Sequence, residues 1–144
     1  MKLLSSILLV MFLTACSTTT QTNNHVVTNQ KPLPPSQAYY FVRDKTDLQQ
    51  QNYTALNTQA NYLIAHPNVT VLLIGNADEC GSPEYNIILG WNRAKTIANL
   101  LEQQGVLPKQ INMVSYGAEK PIALGHNEAA WRKNRRVNLI YEVQ

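Results

Sequence analysis

The sequence is poor in charge: Asp, Glu, Lys and Arg make up 15% of its 144 residues, and the formal net charge is +3. Arg132, Lys133, Arg135 and Arg136 crowd into one short stretch, but no long basic stripe with interleaved aromatics runs through the chain. That excludes nucleic acid as a partner. There is no run of the ~20 apolar residues that a membrane span needs. The apolar stretch LLSSILLVMFL at 3–13 is too short. Histidine is scarce, and His25, His66 and His126 offer no pair at metal-ligand spacing. Cys80 has no histidine nearby in sequence, and no nucleophile motif surrounds any residue. Asp78 and Glu79 are adjacent carboxylates, but nothing marks them as a perturbed acid/base pair, so binding or solvation is preferred to catalysis. The expectation is no enzyme, no metal and no cofactor. There is no internal repeat, and the length sets one domain as the default.

What is present begins at the N-terminus. Lys2 supplies a positive start, 3–13 the apolar segment, and LTAC at 13–16 closes it. This is the layout of an export signal and not of a fold element. LTAC resembles a bacterial lipobox, with small Ala15 directly before Cys16. The resemblance implies cleavage before Cys16 and acylation of it, palmitate included. Each buried methylene contributes about 0.8 kcal/mol, and stable anchoring needs more than one chain. Ser17 stands where an inner-membrane retention aspartate would stand, which implies sorting to the outer membrane. With Cys16 acylated, Cys80 has no intramolecular partner. It reads as a buried thiol or an intermolecular bridge point, and the unpaired thiol is favoured.

Residues 17–36, STTTQTNNHVVTNQKPLPPS, are polar and end in prolines. Nothing there can build a core, so the segment reads as a disordered tether. The expected organisation is a lipoprotein signal peptide at 1–15, a lipidated cysteine and tether at 16–36, and a globular domain at 37–144.

Within that domain, AYYFV at 38–42 predicts a strand. TDLQ at 46–49 has capping-box spacing. Tyr53, Leu56, Ala60 and Leu63 then recur on one helical face, and Pro67 ends that helix. VTVLLIG at 69–75 predicts a strand buried on both faces. Ser82 suits an N-cap and Pro83 the first helical position, Ala94, Ile97, Ala98 and Leu101 form the apolar stripe, and Gly105 ends the helix. INMVSYG at 111–117 is a third strand, 128–131 a short helix, and VNLIYEV at 137–143 a fourth strand. Strands alternating with helices predict an α/β (α+β) sandwich of order βαβαβ-β, with helices packed on a mixed four-stranded sheet.

The densest chemistry is GNADECGSPEYNIILGWNRA at 75–94. Asp78 lies between a buried strand and a helix start, where a rigid scaffold carries functional loops and helix N–H groups favour a carboxylate. Asn86 lies in the first turns of that helix. Arg93 follows seven residues later, about 10.5 Å along the axis and on nearly the same face. Helical side chains lean toward the N-terminus, so Arg93 reaches back toward the Asp78 loop. Asp78 attracts an ammonium and Arg93 grips a carboxylate in a fork. A zwitterionic amino-acid end fits. An ordinary Asp78–Arg93 salt bridge fits the spacing equally well. Trp91 reads as a half-exposed helix residue or partner contact, or as core.

That stretch, continued by INMVSYGAEKPIALGHNEAAWRKNRRVNLIY at 111–141, resembles the OmpA-like peptidoglycan-binding domains, in particular those of Pal-like outer-membrane lipoproteins. The resemblance implies that Asp78 takes the amine and Arg93 the carboxylate of diaminopimelate in the peptidoglycan stem peptide, with Asn86 assisting. It makes Arg135 and Arg136, in the matching NRRV motif, ligand contacts or supports for Asp78, with surface or interhelical ion pairs as the other reading, and Glu79 a further supporting candidate. It implies a lipoprotein of the outer membrane, its domain facing the periplasm, that links membrane to cell wall without catalysis. Envelope proteins of a Tol-like or secretion complex are implied as further partners. The sequence departs from the family pattern at Asn76, Cys80, Val42 and Arg43. Val42 replaces a carboxylate and Arg43 adds a cation, which weakens capture of an amine. These departures motivate the alternative, a structural lipoprotein subunit of a trans-envelope complex such as a secretion apparatus, with reduced or no peptidoglycan binding.

Overall fold

The computed structural model describes residues 32–142. The signal, the lipobox with Cys16, most of the tether and the last two residues lie outside the described residues. Four strands and three helices follow in the order β1 (Gln37–Tyr40), α1 (Tyr53–Ala65), β2 (Thr70–Asn76), α2 (Pro83–Gln103), β3 (Ile111–Gly117), α3 (Glu128–Asn134) and β4 (Arg136–Glu142). Single 3-10 turns stand at Gln50–Asn52 and Pro108–Gln110. The sheet order is β1-β4-β2-β3. β2 and β3 run parallel, joined by the α2 crossover, while β4 is antiparallel to both β1 and β2. The expected mixed sheet with helices on it is what the chain forms.

One face of the sheet carries the core. Val71 and Leu73 of β2, Val137 and Leu139 of β4, and Tyr39 of β1 meet Leu56, Ala60 and Leu63 of α1 and Ala94, Ile97 and Leu101 of α2, all of them fully buried. Burying one such Leu, Ile or Val contributes about 1.5–3 kcal/mol. The other face is only partly covered. Leu72 and Ile74 of β2 are half-buried, and Ile140, opposite Leu72, is 39% exposed. The expectation of a β2 strand buried on both faces is therefore corrected, since α1 and α2 both pack on the opposite face.

α2 begins and ends as its sequence demands. The Ser82 hydroxyl accepts from Tyr85 N–H at 3.1 Å, Pro83 opens the helix, and Gly105 follows its end at φ 105°. α1 does not. Residues 46–49 form no capping box, and α1 starts only at Tyr53. The reason is tertiary: Leu48 is buried in the core, and the Lys45 carbonyl is held by Arg93. The same pull shortens β1, which ends at Tyr40 where 38–42 had been expected.

Gln110 closes the end opposite the α2 N-terminus. It is 1% exposed; its Nε2 donates to the carbonyls of Leu63, His66 and Val69 at 2.9–3.1 Å, and its Oε1 accepts from Leu107 N–H. Gln110→Leu leaves the Val69 carbonyl and the Leu107 N–H without this partner and takes a second donor from the Leu63 and His66 carbonyls, which keep the N–H groups of His66 and Val69. The expected loss is about 3 kcal/mol, read as a lower urea midpoint at unchanged slope.

Candidate functional site

The site is built where β2 leaves the sheet. β2 and β3 slip register between Gly75 and Asn76, so that Asn76 pairs with Gly117 and Ala77 N–H donates to the Gly117 carbonyl at 2.8 Å. This bulge turns the chain out of the sheet and into the loop that carries Asp78. Above it α2 crosses β2 at backbone contact. A Cβ placed on Gly75 would lie 1.8 Å from the Gly90 carbonyl oxygen, and one on Gly90 would lie 2.4 Å from Ser115 Oγ. Ser115 Oγ in turn donates to the Ile87 carbonyl at 2.7 Å. Helix and strand are thereby locked, with Asn86 and Arg93 on the inner side of the helix.

Asp78 is 6% exposed. Its Oδ1 accepts from Cys80 N–H at 3.0 Å, which shapes the loop, and its Oδ2 accepts from Arg135 Nη1 at 3.0 Å. Arg135, itself 3% exposed, also donates to Glu128 and, through Nε, to the Phe41 carbonyl at 3.1 Å. Burial works against the Arg135 charge, but its hydrogen bonds to Glu128 and Asp78 outweigh that and raise its pKa. The same contact holds the Glu128 carboxyl below the usual range.

Arg93 is fully buried and does not pair with Asp78 through a hydrogen bond. Its Nε donates to the Lys45 carbonyl at 2.9 Å, Nη1 to Asn76 at 3.0 Å and Nη2 to Val42 at 3.2 Å, while the Phe41 ring lies 5.3 Å from the guanidinium carbon. Three of five N–H groups thus go to neutral carbonyls. Burial lowers the Arg93 pKa to about 10, with the Asp78 charge opposing the shift and Arg135 adding to it. Two guanidiniums therefore flank one buried carboxylate. Asn86 is 2% exposed, and its Oδ1 has no hydrogen-bond partner.

The remaining candidates lie apart. Glu79 accepts from Trp131 Nε1 at 2.7 Å and His126 Nδ1 at 2.8 Å. These bonds lower its pKa. Arg136 is buried, and its guanidinium donates to the Asn134 and Lys120 carbonyls. Neither arginine of the pair is on the surface, which corrects the surface reading of both. Arg135 faces Asp78 and Arg136 turns the other way, as neighbours entering a strand do. Two clefts of about 240 and 210 Å³ open on either side of Glu79, and neither is lined by Asp78 or Arg93. Trp91 is 42% exposed on the outer side of α2.

Residues that the sequence reading missed are the ones contributing backbone. The carbonyls of Val42, Lys45 and Asn76 around Arg93 carry no side-chain signal. The Glu128–Arg135 pair had one: the two stand two helical turns apart, at opposite ends of a short helix.

Residues 40–135 match the OmpA family. The chain is 46% identical over 110 residues to the peptidoglycan-associated lipoprotein of Legionella pneumophila, covering 76% of this chain and 62% of the relative. It is 48% identical over 102 residues to the peptidoglycan-associated lipoprotein of Haemophilus influenzae, covering 71% and 67%. The chain thus spans about three fifths to two thirds of the length of these curated relatives. Among solved structures, that of the peptidoglycan-associated lipoprotein from Burkholderia pseudomallei superposes with a TM-score of 0.72 at 44% identity, covering 73% of this chain and 89% of that one. The C-terminal domain of Helicobacter pylori MotB superposes with a TM-score of 0.67 at 24% identity, covering 75% and 85%, and shows only that the fold is shared.

Proposed function

The chain belongs to the OmpA family, and on that footing we propose that it binds peptidoglycan non-covalently, taking the diaminopimelate of the stem peptide at the Asp78–Arg93 region. The binding is non-enzymatic. Its setting is the outer membrane, with Cys16 lipidated, the domain in the periplasm and the wall as the second point of attachment. The relatives named peptidoglycan-associated lipoprotein support this reading.

The observation that carries it is Arg93. A buried guanidinium is costly, and an apolar side chain of similar volume serves a core as well or better. Here the guanidinium is fully buried, with carbonyls as its hydrogen-bond acceptors and no carboxylate in contact. Asp78 and Asp44 act on it only through space, so no carboxylate of the fold occupies its fork. A ligand carboxylate would form a forked, charge-assisted pair with it. Asp78, already shared with Arg135, supplies the negative side for the ligand's ammonium, and the unpartnered Asn86 oxygen is a second acceptor.

The test is co-sedimentation of the full chain with purified diaminopimelate-type peptidoglycan. Asp78→Asn keeps the shape and an acceptor oxygen but removes the charge, and binding is expected to weaken roughly tenfold or more. Wild-type protein that stays in the supernatant, yet co-purifies stoichiometrically with a large envelope assembly, would instead favour a structural subunit with an idle site.

A further inference from the structure

Arg93 is 0% exposed, and a carboxylate can reach it only if something moves. Two of its three acceptors belong to one turn, the third being the Asn76 carbonyl. Residues 42–45 are closed by Lys45 N–H donating to the Val42 carbonyl at 3.1 Å, and the carbonyls of both these residues accept from Arg93. The other side of the turn is in solvent: Val42 is 50% exposed, and the Arg43 and Asp44 side chains are more than half exposed.

The turn is held from outside by weak contacts. The Tyr85 hydroxyl, from the first turn of α2, donates to Asp44 Oδ1 at 3.1 Å. The Arg43 guanidinium lies 6.0 Å above the Trp131 ring, and its Nε is 3.7 Å from Asp44 Oδ2. Exposed contacts of these kinds each contribute little. Asp44 also has φ 53°, a conformation open to few L residues, of which aspartate is one. The segment just before the turn is firm by contrast. Phe41 N–H donates to the Arg135 carbonyl at 2.9 Å, and Arg135 Nε donates to the Phe41 carbonyl at 3.1 Å. A fixed edge at Phe41 is followed by a lightly fastened turn.

We propose that residues 42–45 are a lid over Arg93, that Tyr85 latches it through Asp44, and that a ligand carboxylate reaches the guanidinium by replacing the Val42 and Lys45 carbonyls. The identity of that carboxylate rests on the peptidoglycan reading; the lid itself does not. Opening exchanges two neutral acceptors for one charged, forked acceptor. The closed lid scales apparent affinity by the open fraction, so the latch sets how strongly the site holds its ligand. Tyr85 and Asp44 are thereby positioning residues, acting through Arg93.

Site-resolved modification of the full chain by phenylglyoxal, which attacks guanidiniums within reach of solvent, tests the lid without any ligand. In the wild type the exposed Arg43 and Arg132 are expected to label quickly and Arg93 slowly. Tyr85→Phe removes the latch hydroxyl from an exposed position, and Arg93 labelling is expected to rise roughly fivefold, the shift that loss of one ordinary hydrogen bond produces. Arg132 is the internal standard and stays unchanged. The association rate of a diaminopimelate-containing stem peptide rises with Tyr85→Phe by the same factor. Unchanged Arg93 labelling in a normally folded Tyr85→Phe protein overturns the lid. Faster labelling with no stem-peptide binding by either protein upholds the lid and removes the peptidoglycan reading.

Discussion

Gly75→Ala is expected to destabilise the domain by about 4 kcal/mol or more, beyond the usual range for a single added methyl. The new Cβ would stand 1.8 Å from the Gly90 carbonyl oxygen and 2.4 Å from its carbon. Both are backbone atoms in the middle of a 21-residue helix, so no side chain can swing aside. α2 must lift off β2, and the interior contacts of Ala94, Ile97 and Leu101 lift with it. For a domain of this size the melting temperature should fall by roughly 15 °C or more, measured by circular dichroism. Gly90→Ala is the informative contrast. Its Cβ meets Ser115 Oγ at 2.4 Å, a hydroxyl that can rotate away, and the Gly75 carbonyl at 2.9 Å. Alanine also gains about 1 kcal/mol over glycine inside a helix. A Gly90→Ala protein as damaged as Gly75→Ala would show that the close contact is not what sets stability there.

Arg93→Ala is expected to fail twice. Removing the guanidinium takes the donor from the Lys45 and Asn76 carbonyls, leaves Val42 with only the Lys45 N–H, and opens a cavity in the interior. Together these amount to about 4 kcal/mol. Wall binding falls roughly a hundredfold, the scale of a lost charge-assisted fork. A loss of both kinds cannot by itself separate binding from folding. Arg93→Lys can. Lysine keeps the charge but cannot present two parallel donors. It is expected to recover more than half of the stability while binding stays close to the alanine level. Urea midpoints and peptidoglycan co-sedimentation of the same preparations give both numbers. Full wall binding by Arg93→Lys would mean that the carboxylate is recognised as a point charge, and the forked geometry would have to be given up.

The parts of the fold written locally could be read from the sequence, and the parts written by tertiary contact could not. Ser82, Pro83 and Gly105 punctuate α2 through their own backbone needs, and β3 occupies the 111–117 run that its composition marks out. α1 starts late because residues 45–48 are claimed by Arg93 and by the core before a helix can use them. The site divides in the same way. Asp78, Asn86 and Arg93 were picked out by residue type and helical spacing, and all three are buried at the α2–loop junction. Pairing was invisible: spacing offered Asp78 to Arg93, whereas the return of β4 beside β1 brings Arg135 to Asp78, 57 residues away. The acceptors of Arg93 are main-chain oxygens, which no residue type announces.

Among the described residues, β1 is four residues long, pairs in the sheet with β4 alone, and runs directly into the turn beside Arg93. Tension arriving along the backbone from the N-terminal side therefore loads that short ladder before it reaches β2, α2 or β3. When it parts, Tyr39 and Phe41 are drawn out of the interior, and the Val42 and Lys45 oxygens leave with them, while β2, α2 and β3 remain joined. If Arg93 holds the wall as proposed, its mechanical grip is set by the shear strength of one peripheral strand and not by the unfolding of the domain.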